Sequence, residues 1–139
     1  MPKGHTIEII GLDIHKMVSR SLQTKRSAQG HSKNPKTDTS KQHDQIHEWL
    51  AKYSSTRDPA LRDSIIQAAL PLVKRIAYGL ARRSTDPVED LIQVGSIGLI
   101  KAVDQFKPDA GAKFQTYATH LITGEIRHYL RHRIAHGEY

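Results

Sequence analysis

From residue 46 onward the apolar positions recur at intervals of three and four, the spacing of helices that each bury one face. Ile46, Trp49, Leu50 and Tyr53 open the pattern, and SSTRDP closes its first segment. Pro59 suits the first turn of a second helix, on which Leu61, Ile65, Ala69, Leu72, Val73, Ile76 and Leu80 share a broad face. Pro71 lies inside that helix and predicts a kink, because proline lacks a backbone donor and clashes with the preceding turn. RRSTDP stops it, and Asp86 followed by Pro87 marks the start of a third helix over roughly residues 87–106. After the turn FKPDAGAKF a last helix is expected, with Thr116 as its N-cap. Its buried side is Ala118, Leu121, Ile122, Ile126 and Tyr129, while His120, Thr123, Gly124, Arg127 and Arg131 point away. No strand pattern appears after residue 15, so the fold class is all-α, a small helical bundle.

The first 45 residues have a different character. Ile7, Ile9, Ile10, Leu12 and Ile14 form one short apolar patch, a short strand or a nascent helix. The stretch SLQTKRSAQGHSKNPKTDTSKQHDQ that follows has too few apolar residues to offset the entropy of ordering it. The expected division is a mostly disordered polar tail over 1–45, a helical domain over 46–133 and a C-terminal tail over 134–139.

The third helix carries more than a core stripe. Val88, Leu91, Ile92, Gly95, Gly98, Leu99, Ala102, Val103 and Phe106 fall on one arc, where the two glycines admit a close neighbour. The opposite arc holds Asp90, Gln93, Val94, Ile97, Ile100, Lys101 and Asp104. A merely solvated face has no need of Val and two Ile beside its carboxylates. Either another helix covers this face within the monomer, or it is an apolar–acidic docking patch for a second protein.

Charge adds the next constraint. The chain of 139 residues has a formal charge of +7 and a pI near 9.8, which favours an anionic partner. Residues 86–104 hold Asp86, Glu89, Asp90 and Asp104 against Lys101, a net of −3; residues 113–133 hold Lys113, Arg127, Arg131 and Arg133 against Glu125, a net of +3. Adjacent helices of opposite sign point to two partners. In KFQTYATHLITGEIRHYLR, Tyr117 beside cations suits unpaired bases better than a closed duplex, since stacking a base on a ring contributes roughly 1–3 kcal/mol. There is no cysteine, no run of eighteen apolar residues and no signal-peptide layout. The expected setting is the cytoplasm, in association with the nucleoid, and not a membrane.

DLIQVGSIGLIKAVDQFKPDAGAKFQTYATHLITGEIRHYLR, with LPLVKRIA before it, resembles region 2 of bacterial RNA polymerase sigma factors, over roughly residues 46–133. The ending TYATHLITGEIRHYLR is most similar to the general-stress and sporulation branch. The resemblance implies a non-enzymatic transcription initiation factor that binds core RNA polymerase and recognises and melts the promoter −10 element. It places Asp90, Gln93 and Ile100 against the coiled coil of the polymerase's largest subunit, on the face that also holds Val94 and Ile97. Val94 and Ser96 stand where many members have Glu and Asn. Tyr117 takes the position that stacks the flipped adenine of the single-stranded non-template −10 element, and Phe114 belongs to the same melting segment. His120 and Leu121 replace the paired tryptophans of housekeeping members, and Arg127 and Arg131 fall in the segment that reads or clamps the upstream part of the element, with Thr123 on the same outward side of the helix counted among the DNA-binding residues. After LR the chain reads HRIAHGEY and stops, so regions 3 and 4, with their reading of the −35 element, are expected to be missing.

Other readings are weaker. His128, His132 and His136, and His43 with His47, have the i, i+4 spacing of metal-binding pairs, but neither set is completed by a carboxylate or cysteine, so no metal and no cofactor is expected. Glu89, Asp90 and Glu125 lack a nucleophile or a phosphate loop, so no catalysis is expected either. The alternative to a promoter-melting module is a truncated sigma-like interaction module that titrates core polymerase or an anti-sigma factor without opening promoters.

Overall fold

The computed structural model describes residues 35–135, with side chains placed from 39 to 133. The apolar patch of residues 7–14, most of the expected tail, and His136 lie outside the described residues. The elements are α1 (Pro35–Thr56), α2 (Pro59–Ala81), α3 (Val88–Gln105), a 3-10 turn (Pro108–Ala110) and α4 (Phe114–Ala135). Among the described residues there is no strand, and no helix is long and apolar enough to cross a membrane.

α1 corrects the expected domain boundary. It starts at Pro35, so residues 35–45, assigned to the tail on composition, are helical backbone. Ile46, Leu50 and Tyr53 anchor its second half in the core, and the polar first half extends the same helix. Polar residues are nearly neutral toward helix once a buried face has nucleated it, so composition gave no sign of this.

The α1–α2 turn is held by side chains. Asp58 caps α2 by accepting the Ala60 amide at 3.0 Å, with Pro59 in the first turn as expected. Arg57 adopts φ 54°, a left-handed conformation that costs a non-glycine residue on the order of 1–2 kcal/mol. It is offset by its amide bond to the Tyr53 carbonyl at 2.8 Å, its guanidinium over the Tyr53 ring, and a bond from Nη1 to the Asp104 carbonyl at 3.0 Å. α2 continues through Pro71, which lies on the exposed side, where solvent can replace the missing donor.

α3 is the central helix, packed against both α2 and α4. Leu91, Ile92, Leu99 and Ala102 are fully buried against Ile65, Val73, Ala118, Ile122 and Ile126. The two glycines do what their arc predicted. A Cβ on Gly98 would lie 2.7 Å from the Leu121 carbonyl oxygen and 2.8 Å from the Ile122 Cα, so the α4 backbone runs directly over it. A Cβ on Gly95 would meet side chains instead, Val73 at 2.9 Å and Ile126 at 3.0 Å.

α4 starts earlier than its capping signal implied. The helix begins at Phe114, the Tyr117 amide bonds the Lys113 carbonyl at 3.1 Å, and Thr116 sits exposed inside the first turn. Burying the Phe114 ring against Phe106 fixes the start, which outweighs a hydroxyl cap worth about 1 kcal/mol.

Candidate nucleic-acid and protein-docking surfaces

The expected docking arc of α3 divides in the structure. Ile100 is 3% exposed and belongs to the core, which corrects its assignment to the outer surface. Val94 is half-buried and packs against the core. Asp90, Gln93 and Ile97 are half-buried, and Ile97 alone among the apolar residues of the arc stands outside the core cluster. Ser96 is fully buried, its hydroxyl donating to the Ile92 carbonyl at 2.7 Å, so it takes no part in an outer surface. Neither predicted account of this face holds entire: part is core, and a patch of Asp90, Gln93 and Ile97 is left.

The charges at the far end of the arc are used internally. Arg62 donates from Nε and Nη2 to the two carboxylate oxygens of Asp104, both at 2.7 Å, and the Tyr53 hydroxyl donates to the same carboxylate at 2.9 Å. Partial burial by itself raises the Asp104 carboxyl. The bonds from Arg62 and Tyr53, with the charges of Arg62 and Arg57, outweigh it and hold the group below the usual carboxylate range. For Arg62 the bond to Asp104 prevails over burial and raises the guanidinium further. Lys101 pairs with Glu125 of α4. Asp86 is likewise spent: Ser84 donates to it at 2.8 Å and Arg133 Nη1 contacts it at 2.5 Å, closing the end of α4 onto the α2–α3 loop.

The outer face of α4 is a stripe. Tyr117 is half-buried, His120, Arg127 and Arg131 are exposed, and Thr123 is half-buried at the edge. At 1.5 Å per residue, Tyr117 to Arg131 spans about 21 Å. Arg133, counted with the basic face on sequence, turns back to Asp86 and to the Tyr129 hydroxyl at 2.8 Å. Leu121 is half-buried against the core, which leaves His120 as the outward member of that pair.

Phe114, expected as part of the melting segment, is 4% exposed and lies in the core. Its ring meets Phe106 edge-on at 5.4 Å, and Phe106 in turn lies 5.7 Å from Tyr117. Phe106, itself packed edge-on against Phe114, therefore backs the half-exposed ring and limits its motion. Phe114 supports the site without facing it.

Beside this aromatic cluster, α1, α2 and the start of α4 enclose an open groove of about 560 Å³. Ile46, Leu72 and Phe114 supply apolar walls, and His43, His47, Arg75, Lys113 and Asp44 supply the polar ones. Elsewhere the His128 and His132 rings stack at 6.3 Å, and among the described residues no three metal-ligating side chains converge. The structure also brings forward residues the periodicity did not single out: Arg62, buried as partner of Asp104, and Tyr78, 48% exposed on α2. Arg62 left no local signal, whereas Tyr78 lies between two cations at positions 75 and 82.

Residues 65–134 match the sigma-70 region 2 family model. The chain is 45% identical over 74 residues to the RNA polymerase sigma-F factor of Kitasatospora aureofaciens, covering 53% of this chain and 25% of the relative. It is 40% identical over 82 residues to the sigma-F factor of Priestia megaterium, covering 59% and 32%. It is 42% identical over 76 residues to the sigma factor FliA of Pseudomonas aeruginosa, covering 53% and 31%. The matched part thus spans about a quarter to a third of these curated relatives.

Proposed function

This chain belongs to the sigma-70 region 2 family, and from that premise we propose that it binds core RNA polymerase through α3 and the melted promoter −10 element through α4. The observation that carries the reading is Ile97, an apolar side chain outside the core cluster, flanked by Asp90 and by Gln93, on the helix next to the cationic stripe. An apolar centre with a carboxylate and an amide beside it suits a complementary protein surface better than it suits water. In this reading Asp90, Gln93 and Ile97 meet the coiled coil of the largest subunit, with Val94 at the margin and Ile100 shaping the patch from within.

On α4 the proposed steps need no bond chemistry from this chain. Taking a base out of the stack costs a few kcal/mol. Tyr117, backed by Phe106 and Phe114, offers a ring already held in place, so little ordering entropy is lost when the base stacks on it. His120 takes the upstream edge of the bubble, and Arg127 and Arg131, with Thr123 one turn before them, hold phosphates of the upstream part of the element. The polymerase performs the polymerisation.

The test is fluorescence anisotropy of labelled chain with core polymerase, then of the complex with a single-stranded non-template oligonucleotide bearing a −10-like sequence. The wild type is expected to bind both, and Gln93→Ala/Ile97→Ala to lose the polymerase. Binding of polymerase or an anti-sigma factor with no retention of the oligonucleotide would establish the titrating module instead. Failure to bind polymerase would sink the α3 assignment.

A further inference from the structure

The pairing of a free ring with cations recurs on a helix to which neither surface above belongs. We propose that the outer face of α2, centred on Tyr78, is a second contact for single-stranded nucleic acid, independent of α4. Tyr78 is the large hydrophobic side chain most open to solvent among the described residues, at 48%. The hydroxyls of Tyr53 and Tyr129 are bonded within the fold, to Asp104 and Arg133, whereas that of Tyr78 makes no hydrogen bond among the described residues. Arg75 and Arg82, three before and four after, are exposed on the same side of the helix, and neither forms an ion pair among the described residues.

The surroundings select the partner's sign. From Ser64 to Thr85 the chain has Lys74, Arg75, Arg82 and Arg83 and no carboxylate. Of the carboxylates that bound this stretch, Asp86 is buried and paired with Arg133, and Asp63 is half-buried at the opposite end of α2 from Arg82. Cations at the C-terminal end of a helix are ordinarily explained by the helix dipole, and that accounts for Arg82 and Arg83. It does not account for Arg75, two turns earlier, or for a ring left in water beside it. A base can stack on the ring while the arginines hold the flanking phosphates, a combination that a closed duplex does not offer. Arg75 also lines the groove that reaches Lys113 and Gln115 at the start of α4, whose lining includes one carboxylate, Asp44, besides these cations.

The experiment is anisotropy of a fluorescein-labelled oligothymidine with the full chain, repeated across a salt series. Tyr78→Ala is expected to weaken binding roughly five- to a hundredfold, and Tyr78→Phe to keep the wild-type affinity. Arg75→Ala/Arg82→Ala is expected to reduce the log–log salt slope by about 1.4, the share of two phosphates on a single strand. Each is repeated in a Tyr117→Ala/Arg127→Ala/Arg131→Ala background. Persistence of the Tyr78 effect there supports α2 as a contact of its own, whatever becomes of the α4 reading. No binding by the wild type, equal affinity of Tyr78→Ala and Tyr78→Phe, or an equal Tyr78→Ala loss on the matching duplex would each overturn the proposal. Circular dichroism of each variant checks the fold, and the arginine pair remains informative should Tyr78→Ala fail to fold.

Discussion

Arg62 and Asp104 meet through two parallel hydrogen bonds of 2.7 Å, joining the start of α2 to the end of α3 across 42 residues of sequence. The Arg62 side chain is 9% exposed and that of Asp104 32%, so the pair is only partly shielded from water. Removing Asp104 leaves a buried guanidinium without its carboxylate acceptor, and the part-exposed position of Asp104 lets water offset some of the loss. Asp104→Ala is expected to lower stability by up to about 3 kcal/mol, read as a fall in the urea midpoint at unchanged slope. Arg62→Met/Asp104→Leu is expected to lose less than Asp104→Ala, because no charge is stranded.

The same pair makes a statement about pH. The Asp104 carboxyl is held below its unfolded value of about 3.9, so its contribution is present in full above that value and is lost as pH falls through the lower folded one. The Arg62 guanidinium is raised, and its contribution is lost only in strong alkali, far above any working pH. Urea midpoints measured from neutral pH down to about pH 2 should therefore show an acid limb that is shallower in Asp104→Asn than in the wild type. Identical limbs would mean that the pair does not titrate with folding.

Glycines on two helices separate packing from propensity. At Gly98 a methyl group would strike the backbone of α4, which cannot rotate away, so Gly98→Ala is expected to cost roughly 2 kcal/mol or more despite the better helix former. At Gly124 no atom lies within 4 Å of the added carbon, and Gly124→Ala is expected to stabilise by about 0.5–1 kcal/mol. Thermal melts of the two variants should move in opposite directions.

Ile97 and Ile100 lie three apart on α3 and should behave as different kinds of residue. Ile100→Ala empties a core position and is expected to cost about 2–5 kcal/mol of stability. Ile97→Ala, at a half-buried site outside the core cluster, is expected to leave the melting temperature nearly unchanged and to weaken polymerase binding. The reverse pattern would move the docking surface elsewhere.

Phe114 and Tyr117 divide in the same way. Phe114→Ala is expected to destabilise by about 3–5 kcal/mol, through loss of a buried ring. Tyr117→Ala is expected to keep most of the stability and to weaken the −10-like oligonucleotide by roughly five- to a hundredfold in the polymerase complex.

The amino-acid sequence by itself determined the four helices from residue 46 onward, the core arc of α3 and the meaning of its glycines, because periodicity is a local property and reports which side of a helix is dry. Its long DLIQ-to-TYA string also carried the family, which the sigma-70 region 2 match bears out. Only the tertiary structure decided which members of a face are free. Ile97 and Ile100 look equivalent on a helical projection, yet Ile100 is enclosed by the bundle and Ile97 is not. Asp86, Asp104 and Arg133 read as surface charge until the fold brings each to a partner distant in sequence. Periodicity fixes a residue's angle about its own helix; how far the neighbouring helices reach around that angle depends on contacts made from elsewhere in the chain.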